Sequence, residues 1–382
     1  MSHPRTLRDT ETPALVLDRR RLEANVERMR QALAPHRVVV RPHVKTVKNA
    51  EIVRKAFAGG RGPITVSTLA EAEHFFEAGF TDVLYAVGIA PVKLPRTEAL
   101  VRRGCALKVI LDSPGAAQAL RDFCARRDVR IPALLEIDSD DHRAGVPPES
   151  PALLDVARAL DLPGGGSLLG GIMTHAGNSY TSRSHDKIRA WARRERSSML
   201  TAARRLREAG FPCPVVSVGS TPTALFGESF EGIDEVRPGV FFFFDLVMVG
   251  LGVCAREEIA ISVLGSVIGH QAEKGWLLTD TGWMALSRDR GTAAQTLDQG
   301  YGVVCDLEGQ PIEDLVVVDT NQEHGIVARR GGGKLDVGRF PVGTMVRVLP
   351  NHACATGSQH DRYLVVDGGQ EIVAEWARLR GF

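Results

Sequence analysis

Apolar and polar positions alternate in blocks along the first two-thirds of the chain. Short apolar runs are separated by stretches with helical periodicity, and these runs predict eight strands. The predicted strands are Val38–Val40, Ile64–Ser67, Val83–Val87, Leu107–Leu111, Ala133–Ile137, Gly171–Thr174, Val215–Val218 and Glu235–Arg237. Ahead of the first strand, Leu22, Val26, Met29 and Leu33 form one helical stripe. Asp18 is the candidate N-cap of that helix.

Eight strand–helix units over this length favour an α/β fold with an N-terminal (β/α)8 TIM barrel. A doubly wound open sheet is the structural alternative. After Phe241–Phe244 the pattern changes to short β-branched runs separated by Gly, Pro or Asp, with few helices between them. These runs are Ile259–Ile268, Trp276–Thr279, Leu315–Asp319, Gly325–Ala328, Met345–Leu349 and Tyr363–Val366. We therefore predict a barrel in residues 1–250, whose first residues are able to join a C-terminal all-β domain in residues 251–382.

Composition narrows the functional classes. The 382 residues carry a net charge of +1, which argues against a nucleic acid or an anionic membrane as partner. No apolar stretch is long enough to span a membrane, and the N-terminal residues do not form a secretory signal. The six cysteines are scattered without close pairing, which fits a reducing cytoplasm. We expect a cytoplasmic protein that acts on small molecules.

Lys45, in Arg41-Pro-His-Val-Lys-Thr, is the main chemical clue. It follows the first predicted strand, and burial together with positive charge from Arg41 and His43 would lower the pKa of such a lysine. A neutral amine can form a Schiff base with an aldehyde such as pyridoxal phosphate. A lone lysine is more commonly a solvated surface residue. Whether Lys45 binds a cofactor therefore depends on the residues at the other strand ends of the barrel.

Residues that directly follow barrel strands line the active face of a TIM barrel. Here they are polar or ionisable: His43, Lys45, Ser67, Thr68, Asp112, Asp138–Arg143, His175, Asn178, Tyr180, Gly219–Thr221 and Arg237. After strand seven, Gly219 allows close backbone approach, and Ser220 and Thr221 add hydroxyl donors before a short helix. A phosphate commonly binds at this place, so we predict a phosphate loop, with an ordinary turn as the alternative. His175 either faces a flat cofactor ring or stabilises its loop, and Tyr180 has the same two roles open.

The C-terminal domain offers a candidate metal site. His352 and Cys354 stand two positions apart after a predicted strand, and in an extended segment both side chains face one side. Imidazole and thiolate together suit Zn²⁺, and two protein ligands leave positions for water or substrate. Most isolated His-x-Cys pairs are structural, which stays the alternative. Glu323 and His324 are candidate substrate or outer-shell groups, and Asp280 either contacts substrate or shapes a turn.

Seven segments resemble one family in the same order. They are Thr12-Pro-Ala-Leu-Val-Leu-Asp, Pro42-His-Val-Lys-Thr, Glu136 with Arg143-Ala-Gly, His175-Ala-Gly-Asn-Ser-Tyr, Gly219-Ser-Thr-Pro-Thr, Asp280-Thr-Gly and Pro350-Asn-His-Ala-Cys. Together they resemble the D-serine dehydratase and D-threonine aldolase group of alanine-racemase-like, fold-type III pyridoxal phosphate enzymes. Val240 departs from the pattern, because relatives often carry Tyr there, and this puts one cofactor contact in doubt.

The resemblance implies pyridoxal 5′-phosphate at the barrel mouth and a divalent metal, Zn²⁺ or Mn²⁺, in a homodimer. Lys45 matches the Schiff-base lysine. The other cofactor contacts implied are His43, Arg143, His175, Tyr180, Gly219, Ser220 and Thr221. His352 and Cys354 match the two metal ligands.

Aldolases of the group usually carry His-x-Asp where dehydratases carry His-x-Cys, so Cys354 favours a dehydratase. Such a lyase converts a D-3-hydroxy amino acid, D-serine or D-threo-3-hydroxyaspartate, into a 2-keto acid and ammonia. The main alternative is an aldolase that yields glycine and an aldehyde. An amino acid racemase or a non-enzymatic pyridoxal phosphate carrier are further alternatives.

Overall fold

A computed structural model describes residues 5–141 and 143–381. The strands in chain order are β1 (Ala14–Asp18), β2 (Val39–Val40), β3 (Ile64–Val66), β4 (Asp82–Gly88), β5 (Ala106–Leu111), β6 (Ala133–Glu136), β7 (Leu169–Met173), β8 (Val216–Val218), β9 (Glu235–Val236), β10 (Ile261–Gln271), β11 (Trp276–Thr279), β12 (Gly302–Cys305), β13 (Pro311–Thr320), β14 (Gly325–Arg329), β15 (Met345–Pro350), β16 (Arg362–Val366) and β17 (Ile372–Ala377). The helices are α1 (Arg19–Leu33), α2 (Ala50–Lys55), α3 (Leu69–Glu77), α4 (Leu94–Arg102), α5 (Pro114–Arg127), α6 (Ala152–Ala159), α7 (His185–Glu208), α8 (Thr221–Phe226), α9 (Leu246–Gly250), α10 (Trp283–Leu286) and α11 (Ala353–Gly357).

Strands β2 to β9 form an eight-stranded parallel sheet in the order β2-β9-β8-β7-β6-β5-β4-β3. The two end strands meet through a parallel bridge between His43 and Thr65, which closes the sheet into a barrel. The predicted TIM barrel is therefore confirmed, and the open-sheet alternative is wrong. Each of the eight predicted strands is present, with ends within two residues of the prediction.

Burial explains why these short runs become strands. Every residue of β3, β6 and β8 is buried, as expected for parallel strands covered on both faces. Polar caps then start the helices that follow. Thr68 accepts a hydrogen bond from the backbone of α3, and Ser113 and Ser184 do the same for α5 and α7. Asp18 accepts hydrogen bonds from two backbone N–H groups in the first turn of α1, as predicted.

The remaining strands form a nine-stranded sheet in the order β11-β14-β13-β12-β15-β10-β1-β16-β17. A further pairing of β11 with β10 closes six of them into an antiparallel barrel. The all-β prediction is confirmed, but β12 and β17 were not among the predicted strands. Strand β1 also belongs here, antiparallel to β10 and parallel to β16.

The chain divides into two compact units. One comprises Met29–Gly239, called the barrel unit below, and the other comprises residues 5–28 together with Val240–Arg380, called the β-unit. The structural division thus falls eleven residues before the boundary expected at residue 250, and residues 5–28 lie in the β-unit. Among the described residues, no helix combines the length and apolar character needed to cross a membrane.

Candidate active site

Lys45 lies just beyond the bridge that closes the barrel. The His43 N–H donates to the Pro238 carbonyl at 2.8 Å, and the Val44 N–H donates to the Thr65 carbonyl at 2.9 Å. These bonds fix the backbone immediately before Lys45. Its side chain is exposed, and its amino group makes no hydrogen bond or ion pair with any residue that the structure describes. The barrel unit therefore holds a free primary amine at the carboxyl end of a strand.

The surroundings expected for Lys45 are only partly present. Its side chain is exposed rather than buried. Arg41 does not lend it positive charge, because its buried guanidinium bonds Asp82 at 3.0 Å and Glu235 at 2.7 Å. These two carboxylates neutralise the positive charge of Arg41. The expected burial of Lys45 is therefore wrong.

His43 and His175 are neutral rings within electrostatic reach of Lys45. Burial, with the positive charges of Lys45 and Arg237, holds the pKa of His43 well below its usual value. Burial also lowers the pKa of His175 to about 3, against the opposing effect of its bond to Gly219. His175 Nδ1 lies 2.8 Å from the Gly219 carbonyl, which can only accept, so Nδ1 carries the proton. Nε2 of His175 is thus an acceptor.

The predicted phosphate loop follows β8. Gly219 has φ of +149°, and a Cβ there would lie 2.5 Å from the backbone nitrogen of Arg237, so only glycine fits. Ser220 then caps α8 by accepting from the Thr223 N–H at 3.1 Å. The Thr221 hydroxyl accepts from the Gly239 N–H at 3.3 Å. The loop therefore gathers buried hydroxyl and amide groups next to the ring of His175.

Glu195, on α7, supports this loop from beneath. Its buried carboxylate accepts from the Gly219 N–H at 3.0 Å and from the Ala176 N–H at 3.3 Å. Burial raises the pKa of Glu195. One side chain thus ties the loop that carries His175 to the loop that carries Ser220. Glu195 was not among the predicted site residues, although its position on the apolar stripe of α7, with Ile188 and Met199, was a signal for it.

Two arginines complete the barrel mouth in different ways. Arg237 is buried and donates to the Ser217 hydroxyl on β8 at 2.5 Å and to the Thr174 carbonyl just after β7, so it joins these two strands at their ends. Burial lowers the pKa of Arg237 to about 10. Arg143 is largely exposed and lies 3.5 Å from Glu136, at a small cavity that His175 also lines. His142, in the same predicted set, lies outside the described residues.

Tyr180 lies beside His175, with ring centroids 5.9 Å apart. The barrel unit therefore brings together the predicted cofactor residues, with His175 at their centre. They fit pyridoxal phosphate: a free amine suits its aldehyde, neutral rings suit its heterocycle, and hydroxyl and amide groups suit its phosphate.

In the β-unit, His352 and Cys354 lie where β15 leads into α11. His352 is the N-cap residue, and Cys354 is in the first turn of the helix. The expected extended segment is therefore wrong, yet the two side chains still meet, because His352 hydrogen-bonds Cys354. Cys354 is half-buried, whereas the other five cysteines are buried. It is the accessible thiol of the set.

Asp289 orients the His352 ring. Its Oδ2 lies 2.6 Å from His352 Nδ1. A carboxylate only accepts, so Nδ1 carries a proton and Nε2 remains for a metal ion. Burial opposes a charge on the ring, but the bonds to Asp289 and Cys354 raise the pKa of His352 to about 11. A metal ion would therefore displace a proton on binding.

Asp245 holds the segment between the candidate metal ligands His352 and Cys354 by bonding to the backbone of that segment. It accepts from the Met248 N–H at 3.0 Å and from the Ala353 N–H at 2.9 Å, so it caps α9 and holds the residue between the two candidate ligands. Burial raises the pKa of Asp245. Within residues 5–141 and 143–381, no group of three or more His, Cys, Asp or Glu side chains is arranged to hold a metal ion. The imidazole and thiol pair fits a divalent cation with open coordination positions.

The three predicted substrate residues of the β-unit differ from each other. Asp280 accepts from the Ser266 N–H at 2.7 Å and from the Thr12 hydroxyl at 2.5 Å, which is the turn-shaping role left open for it. Glu323 and His324 are exposed. Their turn packs against the start of α10, where the Trp283 N–H donates to the Asn321 carbonyl.

Comparison with known proteins adds a second line of evidence. The family profile described as "Alanine racemase, N-terminal domain" matches residues 17–247, and the profile described as "Putative serine dehydratase domain" matches residues 260–366. The chain is 52% identical to a D-threo-3-hydroxyaspartate dehydratase from Delftia sp. strain HT23, with 99% of each chain covered. The chain belongs to the D-serine dehydratase and D-threonine aldolase family.

The structure of the Delftia protein superposes with a TM-score of 0.94 at 51% identity, covering 99% of this chain and 100% of that chain. A cysteine-to-alanine mutant of a D-threo-3-hydroxyaspartate dehydratase, in the metal-free form, superposes equally well, with the same coverage. More distant members include a D-serine dehydratase of Dictyostelium discoideum, 28% identical over 96% of each chain. The family resemblance predicted from the sequence is therefore confirmed.

Proposed function

We propose that this chain is a pyridoxal phosphate- and divalent metal-dependent dehydratase of D-3-hydroxy amino acids. D-threo-3-hydroxyaspartate is the first substrate, which would give oxaloacetate and ammonia, and D-serine is the second. The observation that carries the proposal is the His352–Cys354 pair with Asp289 behind it. A chain 52% identical to a named D-threo-3-hydroxyaspartate dehydratase supports the choice of substrate.

When bound, pyridoxal phosphate supplies an electron sink for negative charge at Cα, and the metal ion supplies a Lewis acid for the β-hydroxyl group. Lys45 provides the amine that attaches the cofactor. Once free, the same amine is the base for the Cα proton. His175 presents Nε2 as an acceptor on its neutral ring, and Gly219, Ser220 and Thr221 hold the phosphate.

In the β-unit, His352 and Cys354 would hold the metal ion, Zn²⁺ or Mn²⁺. Asp289 keeps the His352 proton on Nδ1, and Asp245 keeps the Ala353 backbone in place. Loss of the β-hydroxyl as water would then leave an enamine, which would tautomerise to an imine and be hydrolysed by a second water to the keto acid and ammonia. In an aldolase, the same hydroxyl would lose its proton and the Cα–Cβ bond would break. The Cys354 thiol, in place of the carboxylate usual in aldolases, favours dehydration.

The test is product analysis on the purified protein with pyridoxal phosphate and Zn²⁺ or Mn²⁺. D-threo-3-hydroxyaspartate, D-serine and D-threonine are supplied separately, with the L-enantiomers as controls. We expect 2-keto acid and ammonia. Glycine with an aldehyde would identify an aldolase, an inverted amino acid would identify a racemase, and no product from any of them would contradict an enzymatic role.

Three variants test which residues bind the cofactor and which bind the metal ion. Lys45→Ala should abolish the lysine-linked absorption band of the cofactor and its trapping by borohydride. His352→Ala and Cys354→Ala should lose metal yet keep that band. Full turnover in the presence of a strong chelator would contradict the metal role. We further propose that the protein is a cytoplasmic homodimer, and sedimentation analysis tests the dimer.

A further inference from the structure

The two candidate substrates differ by one charged group. D-threo-3-hydroxyaspartate carries a second carboxylate on the carbon that bears the β-hydroxyl, whereas D-serine carries hydrogen there. If the hydroxyl binds at the metal held by His352 and Cys354, the extra carboxylate lies within a few ångströms of that metal. A carboxylate so placed calls for a cation, and a guanidinium binds carboxylates best because of its planar fork. This step rests on the proposed function.

Arg288 is a cation of the right kind in the right segment. It directly precedes Asp289, whose carboxylate bonds His352 at 2.6 Å, so the two Cα atoms are about 3.8 Å apart. Its side chain is exposed and makes no hydrogen bond or ion pair with any described residue. Within the part of the chain that the structure describes, its guanidinium lies over the Trp283 ring, with the guanidinium carbon 4.5 Å from the ring centroid. Stacking on Trp283 leaves the N–H fork of Arg288 free for a ligand.

Two other arginines do not share this feature. Arg290, two residues on, stacks on Tyr301 in the same manner but is paired with Asp298 at 2.5 Å. In the barrel unit, Arg143 already has Glu136 as a partner. Arg288 is therefore a charge without a counter-ion among the described residues, and it lies next to the residue that orients a candidate metal ligand.

The turn that carries Arg288 is rigid and strained. Ser287 has φ of +85° and ψ of 167°, a conformation that is rare for residues other than glycine. Its N–H donates to the Trp283 carbonyl at 2.7 Å, and its hydroxyl accepts from the Asp289 N–H at 3.2 Å. The turn is also tied to α11, since the Thr356 hydroxyl donates to the Leu286 carbonyl at 2.6 Å. Strain of this kind concentrates at functional sites. The hydrogen bonds of this turn fix the backbone of Arg288 relative to α11, the helix that carries Cys354.

We propose that Arg288 binds the β-carboxylate of the substrate and selects D-threo-3-hydroxyaspartate over D-serine. It acts as a specificity-determining residue and takes no part in proton transfer. The Trp283 ring restricts the guanidinium, and the Ser287 turn holds its backbone. Metal binding by His352 and Cys354 does not depend on it.

The test compares Arg288→Met and Arg288→Lys with Arg290→Met as the matched control. Methionine keeps an unbranched apolar stem against Trp283 and removes the charge. We expect Arg288→Met to lower kcat/KM for D-threo-3-hydroxyaspartate by about 100-fold relative to that for D-serine, mainly through KM. Arg288→Lys should fall between wild type and Arg288→Met, because it keeps the charge but loses the fork. Arg290→Met should leave the ratio of the two substrates within about threefold.

A binding measurement separates this inference from the proposed function. D-aspartate has both carboxylates but no hydroxyl to lose, and D-alanine lacks the second carboxylate. By calorimetry, wild type should bind D-aspartate more tightly than D-alanine, and Arg288→Met should lose that preference by tenfold or more. Equal losses for both ligands or both substrates, or an unchanged preference, would overturn the role of Arg288. A wild type that binds with the expected preference but forms no keto acid would contradict the proposed function alone.

Discussion

Replacement of Asp289 should weaken metal binding without unfolding the protein. Asp289→Ala removes both the acceptor and the charge that His352 Nδ1 faces at 2.6 Å. Asp289→Asn keeps an acceptor oxygen and removes the charge alone. The Asp289 carboxylate interacts with one positive charge when the His352 ring is protonated and with a divalent ion when metal is bound. Its loss therefore lowers the affinity for the metal ion more than the affinity for the proton. We expect Asp289→Ala to have the larger effect of the two.

The exposure of the pair sets the size of this effect. The side chains of His352 and Asp289 are 40% and 33% exposed, so solvent screens the interaction in part. Loss of such an outer partner typically weakens metal binding by about 10- to 100-fold. We therefore expect the lower part of that range, about tenfold or 1.4 kcal/mol, for Asp289→Asn and up to about 100-fold for Asp289→Ala.

Competition with a chromophoric chelator measures the dissociation constant for Zn²⁺ or Mn²⁺ directly. Co²⁺ in place of the native ion adds an absorption band that reports Cys354 thiolate ligation. His352→Ala marks the limit in which a ligand is lost. Asp367→Asn, which removes the negative charge paired with Arg19 in the same unit, is the matched control and should bind metal as wild type does. An Asp289→Ala protein with wild-type metal affinity would refute the orienting role.

Three further predictions concern the barrel unit. The half-buried ring of His175, whose pKa is lowered to about 3, stays neutral in the folded state, whereas the unfolded chain binds a proton below pH 6.5. In urea denaturation, lowering the pH from 6.5 to 4.5 should therefore reduce the unfolding free energy of wild type by about 2 kcal/mol more than that of His175→Gln, and an equal pH dependence would contradict this. Glu195→Ala leaves two buried N–H groups without an acceptor and should lower the unfolding free energy by about 2–5 kcal/mol, whereas Glu195→Gln keeps an acceptor and should cost about 1 kcal/mol or less. Gly219→Ala brings a Cβ to 2.5 Å from the Arg237 nitrogen and should lower the affinity for pyridoxal phosphate at least tenfold in a fluorescence titration. Gly115→Ala, whose Cβ would meet nothing within 4 Å, is the control and should leave that affinity unchanged.

Local pattern was sufficient for the barrel because its strands are nearly continuous buried runs. Such runs are visible without knowledge of their partners, and β6 is an example in which all four residues are buried. Strand β17 shows the opposite case. It alternates between half-buried and exposed residues at the end of its sheet, so the sequence carries a weaker apolar signal. The short β12 begins at a glycine, which also obscures it.

Within the candidate site, residues at strand ends were predictable and their supports were not. Lys45, His175 and Gly219 follow strands directly, so the barrel prediction alone placed them. Asp289 reaches His352 across 63 residues of sequence, and that contact depends on how α10 and α11 pack. The extended form expected around Cys354 gave way to a helix because Asp245 and the α11 backbone satisfy the local N–H groups.

The position of β1 has a consequence for biosynthesis. Residues 14–17 pair with residues 261–264 and residues 16–18 pair with residues 364–366, so β1 is flanked by strands that are synthesised much later. At a translation rate of about 5–20 residues per second, this segment leaves the ribosome roughly ten to fifty seconds before its first neighbour is synthesised. A nascent chain therefore exposes an unpaired apolar segment throughout that interval. Truncation beyond the first dozen residues would remove an interior strand rather than a dispensable tail.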